Sequence, residues 1–434
     1  MPQRRGEIAE GVEVLRFLQW LTRRERLLRL MNPLFGLFNP FLRSHRKDPH
    51  ATWSALREAE PVYWHPVFRM WMLTRYDDVL FVLRDKNFTT DRSSVPVMKF
   101  ANRMSREDPK FSAMIQRSLL TLDGVEHTRL RGLVSKAFTP RRVERLRPQL
   151  QATVDDLLER AAEAGEMELV RDLAHPLPVI AIALLLGVPE SDRHLFAAWS
   201  KDLVQLLDPL QATGGVEPLR RACHQIFDYF GPLLAARRTE PRDDLLSAMI
   251  AAEEDGQRLE ELDLLALSAL LLVAGHETTS NLIGNAVIAL LRHPGERKRL
   301  QQDPALIDSA VDEFLRFDGP IQFTDRAVRS DCEIGGKQIR KHQVVGLVLA
   351  AANRDPAQFP DPDRLDLGRR ENNHLAFSQG NHFCLGSQLA KLETEIAVSS
   401  LLRRFPDFTG DPDPPAWRRS MIVRGPTAVP LKLV

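Results

Sequence analysis

Three cysteines in 434 residues are too few and too scattered for a disulfide framework. Cys223, Cys332 and Cys384 form no CxxC pair, so a zinc ribbon is excluded as well and a reducing, cytoplasmic setting is expected. Charge of one sign is also missing. The 59 Lys and Arg face 58 Asp and Glu, a net charge of +1, without the basic excess that nucleic-acid binding needs. The longest strongly apolar run, residues 264–274, is about half of the roughly 20 residues that span a bilayer. No uninterrupted apolar core follows the basic start, so no signal peptide is read. Repeats, low-complexity stretches and linker compositions are absent. What remains, at 44% hydrophobic and 27% charged, is an ordinary globular chain. It divides into an N-terminal extension, 1–45, and one large domain, 46–434. Residues 31–42 of the extension carry Leu34, Phe35, Leu37, Phe38, Phe41 and Leu42. These are expected to pack on the protein's own body, with peripheral membrane contact as the alternative.

The chain reads as mostly α with small β-sheets. Residues 62–64 and 70–74 predict a β-hairpin around His65-Pro66, and 77–85 a helix. Residues 86–124 read as one long irregular loop, a kind that is more often functional than idle. From Glu126 the pattern is helical, divided by Pro140, Pro176, Pro189, Pro209, Pro218, Pro232 and Pro241. Residues 261–291 predict a single long helix, apolar nearly all round in its first half and therefore central. A helix from Asp303-Pro304 to Phe317 follows. Residues 327–334 and 337–349 predict strands around the Gly335-Gly336 turn. Residues 353–374 read as an ordered meander, 385–405 as a final helix, and 420–424 and 428–434 as the last strands.

The sharpest local feature is Phe377-Ser378-Gln379-Gly380-Asn381-His382-Phe383-Cys384-Leu385-Gly386. A thiolate is a strong ligand for haem iron, and it needs positive potential to stay deprotonated. The start of the following helix supplies that potential. Gly380 and Gly386 permit a sharp turn and close approach to a flat group. The run resembles the haem-thiolate signature of the cytochrome P-450 family, FxxGxHxCxG, at every required position. Ser378 departs from the glycine common there.

Other segments resemble the same family in consistent order over roughly residues 50–434. Glu313-Phe314-Leu315-Arg316 matches its ExxR, and the segment Phe359 to Arg364 its second arginine. The resemblance implies a structural triad of Glu313, Arg316 and Arg364. Ala274-Gly275-His276-Glu277-Thr278-Thr279 lies in the long helix, where Gly and Thr are poor interior choices. It resembles the oxygen-activation motif AGxxT. Gly275 would let a small ligand near the backbone, Thr278 would bond the Ala274 carbonyl, and Glu277 would relay protons. The overlap with the zinc motif HExxH fails because its fifth residue is Ser280. By the same resemblance His127, Arg131, Arg326 and His382 reach the haem propionates, and Phe377 covers the thiolate.

The resemblance implies a bacterial-type haem-thiolate monooxygenase of secondary metabolism or lipid oxidation. It would hold haem b on Cys384 and draw NAD(P)H electrons through a ferredoxin or flavodoxin and its reductase. A peroxide-driven peroxygenase and a non-catalytic haem sensor or carrier are the alternatives. Arg129, Lys136, Arg141, Arg142 and Lys391 are the expected docking face for the electron donor. An apolar small-molecule substrate is expected against Val95, Val97, Met98, Phe100, Leu203, Leu206, Leu207, Ile321, Phe323 and Ile422, in a monomer.

Overall fold

The computed structural model describes residues 32–40, 42–92, 108–203, 217–254, 256–413 and 416–434, with Leu27 and Leu30. Helices build its larger part and short strands its smaller part. The elements that place the site are helices α1 (Tyr76–Arg84), α2 (Gly124–Ala137), α3 (Pro176–Leu186), α4 (Glu217–Thr239), α5 (Glu261–Arg292), α6 (Ile307–Asp318) and α7 (Ser387–Arg404). A five-stranded sheet accompanies them: β1 (Val62–His65), β2 (Met70–Leu73), β3 (Phe88–Thr89), β4 (Thr324–Val328) and β5 (Val344–Leu347).

The long helix forms as its sequence dictates. Glu260 caps the first turn and Asp263 answers with its own side chain, closing a capping box. The apolar residues that follow lie buried against α3, α4, α6 and α7. By length and composition α5 could cross a membrane, but most of its apolar window is covered by the protein itself. Helix α3 stops where Gly187 turns left-handed at φ 70°, a conformation that costs glycine nothing, and Pro189 follows.

The sheet has the order β1-β2-β5-β4-β3. Strands β1 and β2 are the expected antiparallel hairpin, with Val62 opposite Leu73. The pairing around Gly335-Gly336 is tighter than expected. Only Cys332–Ile334 and Lys337–Ile339 close on that turn, both glycines at positive φ, while β4 and β5 pair with each other in the main sheet.

Three further expectations need correction. Within 86–124 a helix, Pro109–Gln116, forms on the Asp108 cap, whose carboxylate accepts from the Phe111 N–H. Pro232 does not divide helices. It sits inside α4 on the solvent side, where the partnerless carbonyl one turn back is open to water. Residues 420–424 form no strand, only a bridge from Val423 to Ile321. The chain there is held by two main-chain bonds, Gln322 N–H to the Ile422 carbonyl and Arg424 N–H to the Pro320 carbonyl, and by side chains, notably Arg424 on Asp318 at 2.8 Å.

The apolar stretch near the N-terminus splits by face. Phe35 and Phe38 are buried, and the Phe38 ring lies 4.4 Å from that of Trp53. Tyr63 donates to the Phe35 carbonyl at 3.1 Å and accepts from the Leu37 N–H at 3.0 Å. Leu30, Leu34 and Leu37 remain exposed.

Candidate active site

The cysteine loop lies between the meander and α7. The Cys384 N–H donates to the Phe377 carbonyl at 2.9 Å, and a short turn, Gly380–His382, brings the chain round. Gly380 is required twice over. Its φ is +70°, and a Cβ there would stand 2.7 Å from the Leu83 carbonyl at the end of α1. At Gly386 a Cβ would meet nothing, so that face is open. Burial pushes the Cys384 thiol up, while the Gly386 N–H and the Arg131 guanidinium pull it down.

Ser378 occupies the left-handed region at φ +63°, and its buried hydroxyl has no hydrogen-bond partner. Both features cost stability that glycine would not lose, offset in part by glycine's greater chain entropy. Ser378→Gly is expected to stabilise the protein by about 1 kcal/mol, raising Tm by about 1–2 °C. An unchanged or lower Tm in a calorimetric scan would show that the serine is not strained.

Of the basic residues named from sequence, His127, Arg131 and His382 meet at this loop. His127 is buried, neither ring nitrogen has a partner, and its ring lies 4.1 Å from that of His382. Burial, with His382 and Arg131 beside it, lowers the His127 pKa to about 4. Arg131 donates to the Phe383 carbonyl at 2.7 Å, which ties α2 to the cysteine loop. Arg326, on β4, is buried, donates to the Asp325 carbonyl at 2.7 Å and has its pKa lowered to about 10 by burial. His382 approaches Thr90 Oγ1 at 3.3 Å and Asp123 at 3.8 Å. A third arginine, Arg92, pairs with Asp325 and carries no sequence signal. It stands in a stretch with no motif of its own.

In α5 the Thr278 hydroxyl donates to the Ala274 carbonyl at 2.7 Å. Gly275 has a different reason from the one expected. A Cβ on it would come within 2.7 Å of Ile182 Cδ1, so this glycine admits α3 rather than an open space. His276 is buried edge-on to His175, with ring centroids 4.2 Å apart. Glu277 is buried, and its carboxylate meets Arg418 at 2.7 Å, a partner from the C-terminal segment with no sequence signal.

The ExxR pair is as dense as a buried acid requires. Arg316 donates to both Glu313 oxygens at 2.8 Å and to the carbonyls of Asn353 and Pro362. The second arginine, however, is Arg369 and not Arg364. Arg369 reaches Glu313 at 3.2 Å, and Asn372 and the Asp366 N–H complete the shell. Arg364 points to solvent and offers only its carbonyl to Arg316. The meander folds so that its register, which spacing does not fix, turns the later arginine inward.

Of the expected substrate contacts, Val95, Val97, Met98, Phe100, Leu206 and Leu207 lie outside the described residues. Leu203 is buried against α4 and α5 in the main core. Phe323 lies in the aromatic core with Phe38, Trp53 and Tyr63, tight against Gly346, and Ile422 packs on that cluster. Ile321 is half-buried beside Val423. The basic face is less free than expected. Arg129 pairs with Glu126 and Asp263, Arg142 with Asp243, and Lys391 with Asp312, whereas Arg141 is exposed.

The family description "Cytochrome P450" matches residues 30–432. The chain belongs to the cytochrome P450 family. It is 41% identical to cytochrome P450 107B1 of Saccharopolyspora erythraea, over 89% of this chain and 95% of that one. It is 40% identical to the vitamin D(3) 25-hydroxylase of Pseudonocardia autotrophica, over 89% and 94%. Among solved structures, the bacillaene polyketide synthase cytochrome P450 PksS of Bacillus subtilis superposes with a TM-score of 0.83 at 34% identity, covering 91% of this chain and 99% of that one. The protein is thus a P450 oxidoreductase of the monooxygenase class, of the kind found in bacterial secondary metabolism, and the family implies a haem-thiolate cofactor. The residues present fit that group. The buried His127 ring has no partner at either nitrogen, so its one N–H stands without an acceptor beside His382, where an anion would satisfy it, and a thiol stands beside them.

Proposed function

We propose that the protein inserts one oxygen atom from O2 into an apolar small molecule, with Cys384 as the thiolate that would hold a haem b. The observation that carries this is the buried, unpartnered His127 beside His382 and Arg131, at the Cys384 loop. Bound haem supplies the oxidising chemistry, in which O2, two electrons and two protons give one inserted oxygen atom and one water. The chain's own residues do the rest. Arg131 and Arg326 would offset the charge of the propionates, and His127 and His382 would hydrogen-bond them, so that the four together would orient the ring. Gly380, Gly386 and Phe377 would shape the thiolate side, while Ala274 and Gly275 would line the oxygen side from α5, Gly275 also admitting Ile182 of α3. Thr278, oriented by the Ala274 carbonyl, and Glu277 pass protons inward.

Thr278→Ala tests the assignment. Electron consumption should continue while product per electron falls about tenfold, because the proton path loses its last hydroxyl. Unchanged coupling, measured as product formed per NAD(P)H, would remove Thr278 from the mechanism.

The substrate proposed is large and apolar, in keeping with relatives named for vitamin D(3) and for a polyketide pathway. Spin-state titration with such compounds checks this, and a response only to small polar molecules would refute it. Electrons are proposed to come from NAD(P)H through a ferredoxin or flavodoxin and its reductase. Arg141 is then the exposed centre of the docking face. A reduction rate insensitive to ionic strength and to Arg141→Glu would place the docking elsewhere. Residues 46–434 are proposed as one monomeric catalytic domain in the cytoplasm. The exposed Leu30, Leu34 and Leu37 are proposed as a peripheral lipid contact, which lack of co-flotation with anionic vesicles would exclude.

A further inference from the structure

The acid of the long helix is held from outside the helix. Oε1 of Glu277 stands 2.7 Å from Nη1 of Arg418, with the carboxylate side chain 8% exposed and the arginine 21%. The contact is an ion pair off the alignment of a hydrogen bond. The same guanidinium gives its Nε–H to Asn281 Oδ1 at 3.0 Å, one turn further along α5. It therefore spans two successive turns of the helix, both on the face that carries Glu277.

Arg418 comes from the C-terminal segment, where the chain doubles back on itself. The Arg418 N–H donates to the Gly425 carbonyl and the Thr427 N–H to the Ala416 carbonyl, both at 3.0 Å. Gly425 lies so close to Asn281 that a Cβ would overlap its Oδ1. Arg424 stacks on the Trp417 ring at 3.7 Å and bonds Asp318 at 2.8 Å. At the far end of the turn the Ile422 carbonyl accepts from the Gln322 N–H at 2.9 Å. The arginine is thus fixed at the root of a strap whose tip lies against residues 321–323.

A carboxylate in such a pair is oriented and desolvated on one side. It passes a proton only by leaving the cation or by using its other oxygen. The position of the guanidinium therefore decides where the acid stands with respect to Thr278. Glu277 and Arg418 also act on His175, just before α3, which is itself edge-on to His276.

We propose that Arg418 is a positioning residue for proton delivery, holding the Glu277 carboxylate against α5 and setting when it can exchange a proton. The proposal deepens the reading of Glu277 as the proton relay and rests on it. It also ties the relay to residues 321–323, because Ile422 and Arg418 belong to one fastened turn.

The test uses the full-length holoenzyme with excess ferredoxin and ferredoxin reductase, and palmitic acid as the probe. NADPH oxidation and the share of oxygen released as hydrogen peroxide are followed across pH, in light and heavy water. Arg418→Ala should slow NADPH oxidation about tenfold, less than the 10²–10⁴ expected for losing a catalytic acid outright. It should also displace the pH profile and enlarge the solvent isotope effect, with the carbon-monoxide band intact. Arg418→Lys should restore most of the rate, and Arg418→Ala should add nothing in a Glu277→Gln background. The loss of Tm caused by Arg418→Ala should likewise shrink in that background, a readout independent of turnover. A pH profile and isotope effect matching the unmodified protein would overturn the proposal. If the alanine variant does not fold, Arg418→Gln and Arg418→Lys carry the same comparison. A Glu277→Gln variant that turns over normally would overturn the relay reading itself, and the proposal with it.

Discussion

Cys384→Ala is expected to abolish the long-wavelength band of the dithionite-reduced, carbon-monoxide-treated protein and to lower turnover by about 10³-fold or more. That loss corresponds to a barrier higher by about 4 kcal/mol. The band reports thiolate ligation, and the thiolate's electron density is what favours O–O cleavage. The fold should survive. The bond that closes the loop runs from the Cys384 backbone N–H to the Phe377 carbonyl, and alanine keeps it. Far-UV circular dichroism should be unchanged. The other two cysteines are the internal control. Cys223 is fully buried in α4 and its thiol is pushed up to about 12 by burial, and Cys332 lies in a surface hairpin. Neither Cys223→Ala nor Cys332→Ser should disturb the band. A band that persists without Cys384 would refute the ligand assignment.

The second large effect separates two arginines five residues apart. Arg369→Ala should cost about 3–5 kcal/mol, because Glu313 is wholly buried and would lose one of its two guanidinium partners. The same variant also frees the meander, since Arg369 donates to the Pro360 carbonyl at 3.0 Å. Arg364→Ala should change stability by less than about 0.5 kcal/mol. What Arg364 contributes to the cluster is a main-chain carbonyl, and alanine retains that. Urea midpoints and haem content of the two purified variants decide the matter. If Arg364→Ala were the damaging change, the assignment of the buried cluster would be reversed.

These two cases also mark how far the sequence carries. The Cys384 loop, ExxR and the AGxxT segment are legible because each is local. The thiolate, its flanking glycines and the start of α7 lie within about a dozen residues, and Glu313 and Arg316 share one helical face by spacing alone. The Thr278 bond to the Ala274 carbonyl is a single helical turn and is equally foreseeable. The strand pairing was less legible. Strands β4 and β5 are not joined by the Gly-Gly turn between them, because that turn closes its own smaller hairpin first.

The sequence by itself determined the fold class, the family and the chemistry of the cysteine loop, since short-range geometry fixes them. Only the tertiary structure decided which meander arginine turns inward, that Gly275 makes room for Ile182, and that Arg418 stands on Glu277. The last contact joins residues 141 positions apart, and the meander has no periodicity from which a facing direction could be read. In each case the deciding partner is distant in the chain, and the close packing of α3, α5 and the C-terminal strap brings it into contact.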